Sequence, residues 1–347
     1  MSQLVRSTQR PKVLFICGSI NQTRQMHQIA EQMPEIDPYF TPYYVTGILS
    51  LWKKLGFLEM SIGGHKLGKR CLDYLEQHKL AIDEGGKRRD YDLVVTCTDQ
   101  VVPNNINAPL ILVQEGMLDP INILFHLHKV LRFIPRWMAG TAATGQSLAF
   151  ERFCVASEGY RDYFAQHGVD RDRIVVTGIP NFDNCARYLK NDFPHHGYCL
   201  VCTSDARETM KFDNRQAFIE DAKKKARGKP LIFKLHPNEK VERAKEEIEQ
   251  WAPGSLVYSD GSAEEMVANA DIVICQYSSL AFVALALGKE LHSYFDQEEL
   301  ARLLPIQNRD SASRIASVCR EVMEAALARA NARRLSAGLT PSVETLP

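Results

Sequence analysis

The chain has 347 residues, 45% hydrophobic and 24% charged, and its 42 basic and 42 acidic side chains give a formal net charge of zero. That length suits two domains, and the even charge excludes the strongly basic surface expected of a nucleic-acid binder. No run is apolar and long enough to span a bilayer, and the polar opening Met1–Pro11 lacks the apolar centre of a secretory signal. Most of the nine cysteines lie in apolar strand-like runs (Cys17, Cys97, Cys154, Cys199, Cys275). They read as buried free thiols of a reducing, cytoplasmic compartment. Cys199 and Cys202 have CxxC spacing, but no second pair stands at zinc-ligand distance, so they read as core and no metal is expected.

In chain order, Lys12–Cys17 reads as a buried strand, followed by Gly18-Ser19 and a helix over Thr23–Gln32. The segment around Pro38, Tyr39 and Pro42 suggests a loop or short extended piece. Leu49–Leu58 and Leu67–Leu80 look helical. Tyr91–Thr98 and Pro109–Gln114 are strands ending at Asp99 and at Glu115-Gly116. No acidic residue lies between Asp119 and Glu151, and Ile121–Trp137 interleaves apolar residues with His126, His128, Lys129, Arg132 and Arg136. Such a segment either packs on its own sheet or lies on an anionic membrane surface, which leaves a peripheral membrane contact open. Gly140–Ser147 reads as flexible. Phe153–Ser157 and Ile174–Thr177 are strands flanking a helix at Glu158–His167.

A second alternating series follows the polar stretch Asn191–Gly197. Tyr198–Thr203, Leu231–Leu235, Leu256–Tyr258, Asp271–Cys275 and Leu291–Tyr294 read as strands. Asn214–Arg227, Val241–Trp251, Ala263–Ala270 and the long Ser311–Arg334 read as helices. Alternation of this kind implies parallel sheets covered by helices, hence an α/β chain of two Rossmann-like domains with a cleft between them. The division expected is 1–185, 186–334 and a flexible tail 335–347.

Open α/β sheets bind ligands outside the carboxyl ends of their strands. Those positions hold Gly18, Ser19, Asp99 and Glu115 in the first half. In the second half they hold Thr203, Ser204, Lys234, His236, Pro237, Asn238, Glu239, Gln276, Tyr277, Ser278 and Ser279. Ser278-Ser279 ahead of an Ala-rich helix reads as a capped turn whose hydroxyls, free N–H groups and helix dipole suit a phosphate. Each residue also has a plain reading: Glu115 can cap a turn, and His236 can bond a neighbouring loop. Gly18-Ser19 lacks GxGxxG spacing, and no GxxxxGK[ST] is present.

Phe233-Lys234-Leu235-His236-Pro237, then Tyr277-Ser278-Ser279-Leu280-Ala281-Phe282 and Leu287-Gly288-Lys289, resemble the C-terminal half of GT-B glycosyltransferases. CDP-glycerol glycerophosphotransferases and the bacterial CMP-sialic acid and Kdo transferases are the groups most similar. The resemblance spans Phe153–Gly288, and Ala156-Ser157-Glu158 with Gly178-Ile179-Pro180-Asn181 is also similar to UDP-GlcNAc 2-epimerases. It implies that the HP and paired-serine motifs grip the phosphates of a CMP-, CDP- or UDP-linked donor. Gln114-Glu115-Gly116 resembles the acidic-acidic-Gly motif with Gln for the first acid, so Glu115 takes the base role and Asp99 is a weaker candidate. The acceptor implied is a carbohydrate or lipid-linked hydroxyl, and no cofactor beyond the donor is needed. Gly18, Ser19, Lys129, Arg132 and Arg136 fall on the acceptor or membrane side. By spacing, Val283 stands where these families carry a ribose-binding Glu. The expectation is a metal-independent glycosyl- or polyol-phosphate transferase, with a nucleotide-sugar epimerase or a non-catalytic scaffold as alternatives.

Overall fold

The computed structural model describes residues 10–46, 65–131, 135–209 and 212–336. In chain order the elements are β1 (Lys12–Cys17), α1 (Ile20–Glu31), β2 (Asp37–Pro42), α2 (His65–Gln77), β3 (Leu93–Thr96), β4 (Leu110–Val113), α3 (Ile123–Val130), β5 (Arg152–Val155), α4 (Glu158–Gln166) and β6 (Ile174–Val176). There follow β7 (Cys199–Cys202), α5 (Arg215–Lys225), β8 (Leu231–Lys234), α6 (Val241–Trp251), β9 (Leu256–Tyr258), α7 (Ala263–Asn269), β10 (Ile272–Cys275), α8 (Leu280–Ala286), β11 (Glu290–His292), α9 (Gln297–Leu303) and α10 (Ser311–Ser336). They form two compact units, one of residues up to Ala156, Tyr160–Asn181 and Asp310 onward, the other of Ser157–Gly159 and Phe182–Arg309.

The first unit is built on a six-stranded sheet in the order β2-β1-β3-β4-β5-β6, with every pairing parallel. Its inner strands are apolar on both faces, as burial under helices on each side requires. Val13, Phe15 and Cys17 of β1 pack with Met26 and Ile29 of α1 and Leu75 of α2. Ile315, Cys319 and Val322 of α10 complete the same core. The second unit holds a five-stranded parallel sheet, β11-β10-β7-β8-β9. Cys199 and Val201 of β7 pack there with Phe218 and Ile219 of α5, Phe233 of β8 and Ile248 of α6. All nine cysteines are buried and free, and burial pushes the Cys199 thiol up to about 12.

Several expectations need correcting. Of the loop or short extended piece expected around Pro38 and Pro42, residues 37–42 take the extended form as β2, the edge of its sheet, where the prolines remove no ladder bond to a further strand. The long helix α10, assigned to the second domain by its position in the sequence, contributes its apolar stripe to the core of the first unit. The chain enters the second unit at Phe182 rather than after 185. Gly140–Ser147 is not loose: a 3₁₀ segment covers Arg136–Ala143, and the backbone N–H groups of Gly145 and Ser147 are both bonded to Asp99. The expected helix at Leu49–Leu58 lies outside the described residues, as do 337–347 of the expected tail.

Candidate functional site

In the first sheet the strand order turns back between β1 and β3, and in the second between β7 and β10. Open α/β sheets leave their ligand crevices at such points. Most of the sequence-derived candidates lie at or near these strand ends.

Ser19 stands two residues beyond β1 and caps α1 in a reciprocal box with Gln22. Its Oγ accepts the Gln22 N–H at 3.2 Å and donates to Glu115 Oε1 at 2.6 Å. The Gln22 side-chain oxygen accepts the Ser19 N–H at 3.3 Å, which turns its amide nitrogen toward Glu115 Oε2, 2.5 Å away. Two donors at a helix N-terminus therefore fix a half-buried carboxylate two residues past β4. Burial pushes the Glu115 carboxyl up, and the Ser19 and Gln22 hydrogen bonds oppose that rise. Asn181 donates to the Glu115 carbonyl at 3.1 Å and holds the backbone from the other side.

Gln114 explains its own departure from the acidic-acidic-Gly pattern. It is fully buried, its Oε1 accepts the Ala156 N–H at 2.9 Å, and its Nε2 donates to the Gly116 carbonyl at 2.8 Å. A carboxylate there would confront a carbonyl with no proton to offer. Gln22 was missed by the sequence reading, although Ser19-x-x-Gln22 is a legible capping-box pattern.

Asp99 is a correction. It is fully buried, and its two oxygens accept the N–H groups of Gly145 and Ser147 at 2.9 Å each. Burial pushes its carboxyl up while those bonds and Arg136 hold it down, so Asp99 anchors a loop and is not open to an acceptor. Arg136 is half-buried on the Asp99 side, and Lys129 Nζ donates to the His167 carbonyl at 2.6 Å and lies over the Phe125 ring. Arg132 lies outside the described residues. On α3, Phe125 packs inward against Ala139, Ala142 and Ala143, while Ile123 and Val130 are 73% and 79% exposed.

In the second unit β7 lies between β8 and β10, so the ends of those two are about 10 Å apart, two strand spacings. Ser278 Oγ accepts the Leu280 N–H at 3.3 Å, and the N–H groups of Ala281 and Phe282 bond back to the Ser278 and Ser279 carbonyls at 3.1 Å. The first turn of α8 thus uses these three N–H groups itself, contrary to the expected free cluster. Ser279 is exposed and makes no side-chain cap bond, leaving its hydroxyl to outside partners. Tyr277 is 59% exposed and packs edge-on against Tyr294 and Phe295.

His236 follows β8 with a partly exposed ring, and Pro237 follows it. Its Nδ1 accepts the Asn238 N–H at 3.2 Å, so in the neutral ring the proton sits on Nε2. Asp205 Oδ2 lies 3.6 Å from Nδ1 and accepts from the Asn238 amide at 3.0 Å. The remaining candidates turn inward. Thr203 donates to Glu239, and Ser204 donates to Gln276. Gln276 donates to Asp213 at 2.8 Å. Lys234 Nζ donates to the Ser259 carbonyl at 2.8 Å, and burial pushes its ammonium down. These side chains support the strand ends and do not face outward. Val283 is 1% exposed in α8, with no polar atom to offer a ribose.

No protein-family profile matches the chain, and no curated protein matches it by sequence. Solved structures do match. The wall teichoic acid polymerase TagF, as its H444N variant, is 12% identical over 92% of this chain and 90% of its own, with a TM-score of 0.53. UDP-GlcNAc 2-epimerase from Neisseria meningitidis, bound to UDP-GlcNAc, is 14% identical over 89% of this chain and 100% of its own, with a TM-score of 0.54. The epimerase from Methanocaldococcus jannaschii is 13% identical over 89% and 99%, with a TM-score of 0.51. At such identities the likeness shows the fold alone: two parallel α/β sheets in a GT-B-like arrangement of elements.

Proposed function

We propose that the chain is an enzyme that transfers a glycosyl or polyol-phosphate group from a nucleotide-activated donor to a hydroxyl acceptor. The observation that carries this reading is Glu115, a single carboxylate held by Ser19 and Gln22 at a strand end, its pKa pushed up by burial. A base with a raised pKa suits abstraction of a hydroxyl proton. In the reaction the acceptor proton passes to Glu115, the acceptor oxygen forms the new bond, and the bond to the nucleotide's phosphate oxygen breaks. Ser278, Ser279 and the Nε2–H of His236 hold the departing phosphate. Single displacement of this kind inverts a sugar donor. The TagF structure soaked with CDPG supports a CDP-linked donor and a place in surface-polymer synthesis, and the UDP-GlcNAc-bound epimerase supports a UDP-linked one. The exposed Ile123 and Val130, in a stretch whose only charges are basic, support an anionic lipid surface as the site of the acceptor.

The epimerase matches support a rival, isomerisation of a nucleotide sugar without an acceptor. Asp99 weighs against it, since its engagement leaves Glu115 as the accessible carboxylate of the two strand-end acids. Thermal shift with CMP, CDP, UMP, UDP, GDP and ADP, on wild type and His236→Ala, tests the donor. Saturation at about a hundred times Kd stabilises by roughly 2.7 kcal/mol. A shift with one base that His236→Ala loses supports the transferase, product formed from UDP-GlcNAc alone favours the epimerase, and no shift with any nucleotide leaves a scaffold.

A further inference from the structure

We propose that Glu239 is a positioning residue that sets the His236 ring through a buried ion network; this rests on the donor-phosphate role given to His236. The side chains of Asp213, Arg215 and Glu239 are almost completely buried. Glu239 Oε2 accepts the His236 backbone N–H at 3.0 Å and the Thr203 hydroxyl, so one carboxylate oxygen ties the end of β8 to the end of β7. Its other oxygen lies 2.8 Å from Arg215 Nη2. Arg215 in turn donates to the Ser204 carbonyl at 3.1 Å and to Asp213 Oδ2 at 3.0 Å. Asp213 Oδ1 accepts from Gln276 at 2.8 Å, and Gln276 accepts from Ser204.

The network therefore fastens three adjacent strand ends, those of β8, β7 and β10, which carry His236, Ser204 and the serine pair. Exposed loop residues cannot hold an imidazole to a fraction of an ångström, whereas buried charges with several bonds each can. With the His236 backbone fixed by Glu239, the turn to Asn238 brings an N–H onto Nδ1 and leaves Nε2–H pointing outward as the donor. Nothing in the sequence marks Asp213 or Arg215 for this work, since charged residues after a strand ordinarily face solvent.

The test compares wild type with Glu239→Gln and the milder Thr203→Val, which keeps the question open should the first variant fail to fold. Nitrogen-15 spectra of the His236 ring, assigned against His236→Ala at a pH where imidazole is neutral, should show Nε2 protonated in wild type and a mixture of tautomers in both variants. The Kd for CDP or UDP, measured by calorimetry, should rise at least tenfold in Glu239→Gln. In Glu239→Gln/His236→Ala it should rise no further than in His236→Ala alone, because the two residues act as one unit. An unchanged ring state in both variants, or penalties that add in full, overturns the proposal. If wild type binds neither nucleotide, the donor reading fails on its own, and the ring spectra still decide whether Glu239 positions His236.

Discussion

Ser19 Oγ lies 2.6 Å from Glu115 Oε1, so the residue that starts α1 also fixes the carboxylate beyond β4. This hydrogen bond favours the ionised carboxyl, against the burial that disfavours it. Ser19→Ala should therefore raise the Glu115 pKa further and move the acid limb of kcat/KM to higher pH. In the proposed reaction activity should be lost as pH falls through that pKa, because the protonated acid cannot accept the acceptor's proton. Glu115→Gln should cost about 10²–10⁴-fold in kcat and abolish the limb altogether. A limb that stays where it is in Ser19→Ala would assign the titration to another group.

Asp99 and Glu115 should behave in opposite ways. Asp99→Asn places an amide against one of two backbone N–H donors and should destabilise by about 1–3 kcal/mol, while turnover stays within tenfold of wild type. Glu115 has a carboxyl pKa raised by folding, so its stabilising contribution is present below the ordinary carboxyl pKa and is lost as pH rises through the folded value. Above that value the ionised carboxylate carries its burial cost, so Glu115→Gln should lose less stability than Asp99→Asn while losing activity. Urea midpoints and turnover on the two variants read this crossed pattern directly.

The charged pairs of the second unit divide by burial. Arg215→Met leaves Glu239 buried without its cation and Asp213 with Arg207 alone at 3.5 Å, and should cost roughly 3–5 kcal/mol, seen as a lower denaturation midpoint. Removing Arg227, whose pairing with Glu290 is exposed, should change stability by no more than about 1 kcal/mol.

Much of the fold was legible because parallel strands buried on both faces are nearly pure apolar runs. Lys12–Cys17 and Val241–Trp251 match their elements end to end, and the strand-end rule brought Ser19, Glu115, His236 and Ser278 forward from sequence. What local pattern could not show is which core a helix joins. Residues 311–336 carry an apolar stripe that would suit either unit, and only the long-range packing of Ile315 and Cys319 settles it. The inward turn of Thr203, Lys234 and Gln276 was hidden for a related reason. A polar residue at a strand end reads the same whether it faces a ligand or a buried carboxylate such as Glu239 or Asp213.

The surface of α3 gives a test of the proposed lipid contact. Ile123 and Val130 lie seven residues apart on one helical face and are largely exposed, whereas Lys129 is already bonded to the His167 carbonyl. Ile123→Glu/Val130→Glu should therefore reduce sedimentation with phosphatidylglycerol vesicles more than Lys129→Glu does. Equal sedimentation of wild type and the double variant would remove the membrane reading, and a change of oligomeric state instead would point to a second copy of the chain on this face.

Two helical glycines should respond in opposite directions to the same substitution. Gly to Ala inside a helix ordinarily gains about 0.5–1 kcal/mol, and at Gly68 in α2 an added Cβ meets nothing within 4 Å, so Gly68→Ala should stabilise by about that amount. Gly159, at the start of α4, presses on the end of α9: a Cβ there would lie 2.0 Å from the Arg302 carbonyl oxygen and 2.7 Å from its carbon. Ser157 locks the same junction by donating to the Leu303 carbonyl at 3.1 Å. Backbone cannot swing aside as a flexible side chain can, so overpacking should outweigh propensity and Gly159→Ala should lose about 1–3 kcal/mol or more. Denaturant melts of the two variants decide it, and a Gly159→Ala chain as stable as wild type would mean that α9 can shift away from the start of α4 at little cost.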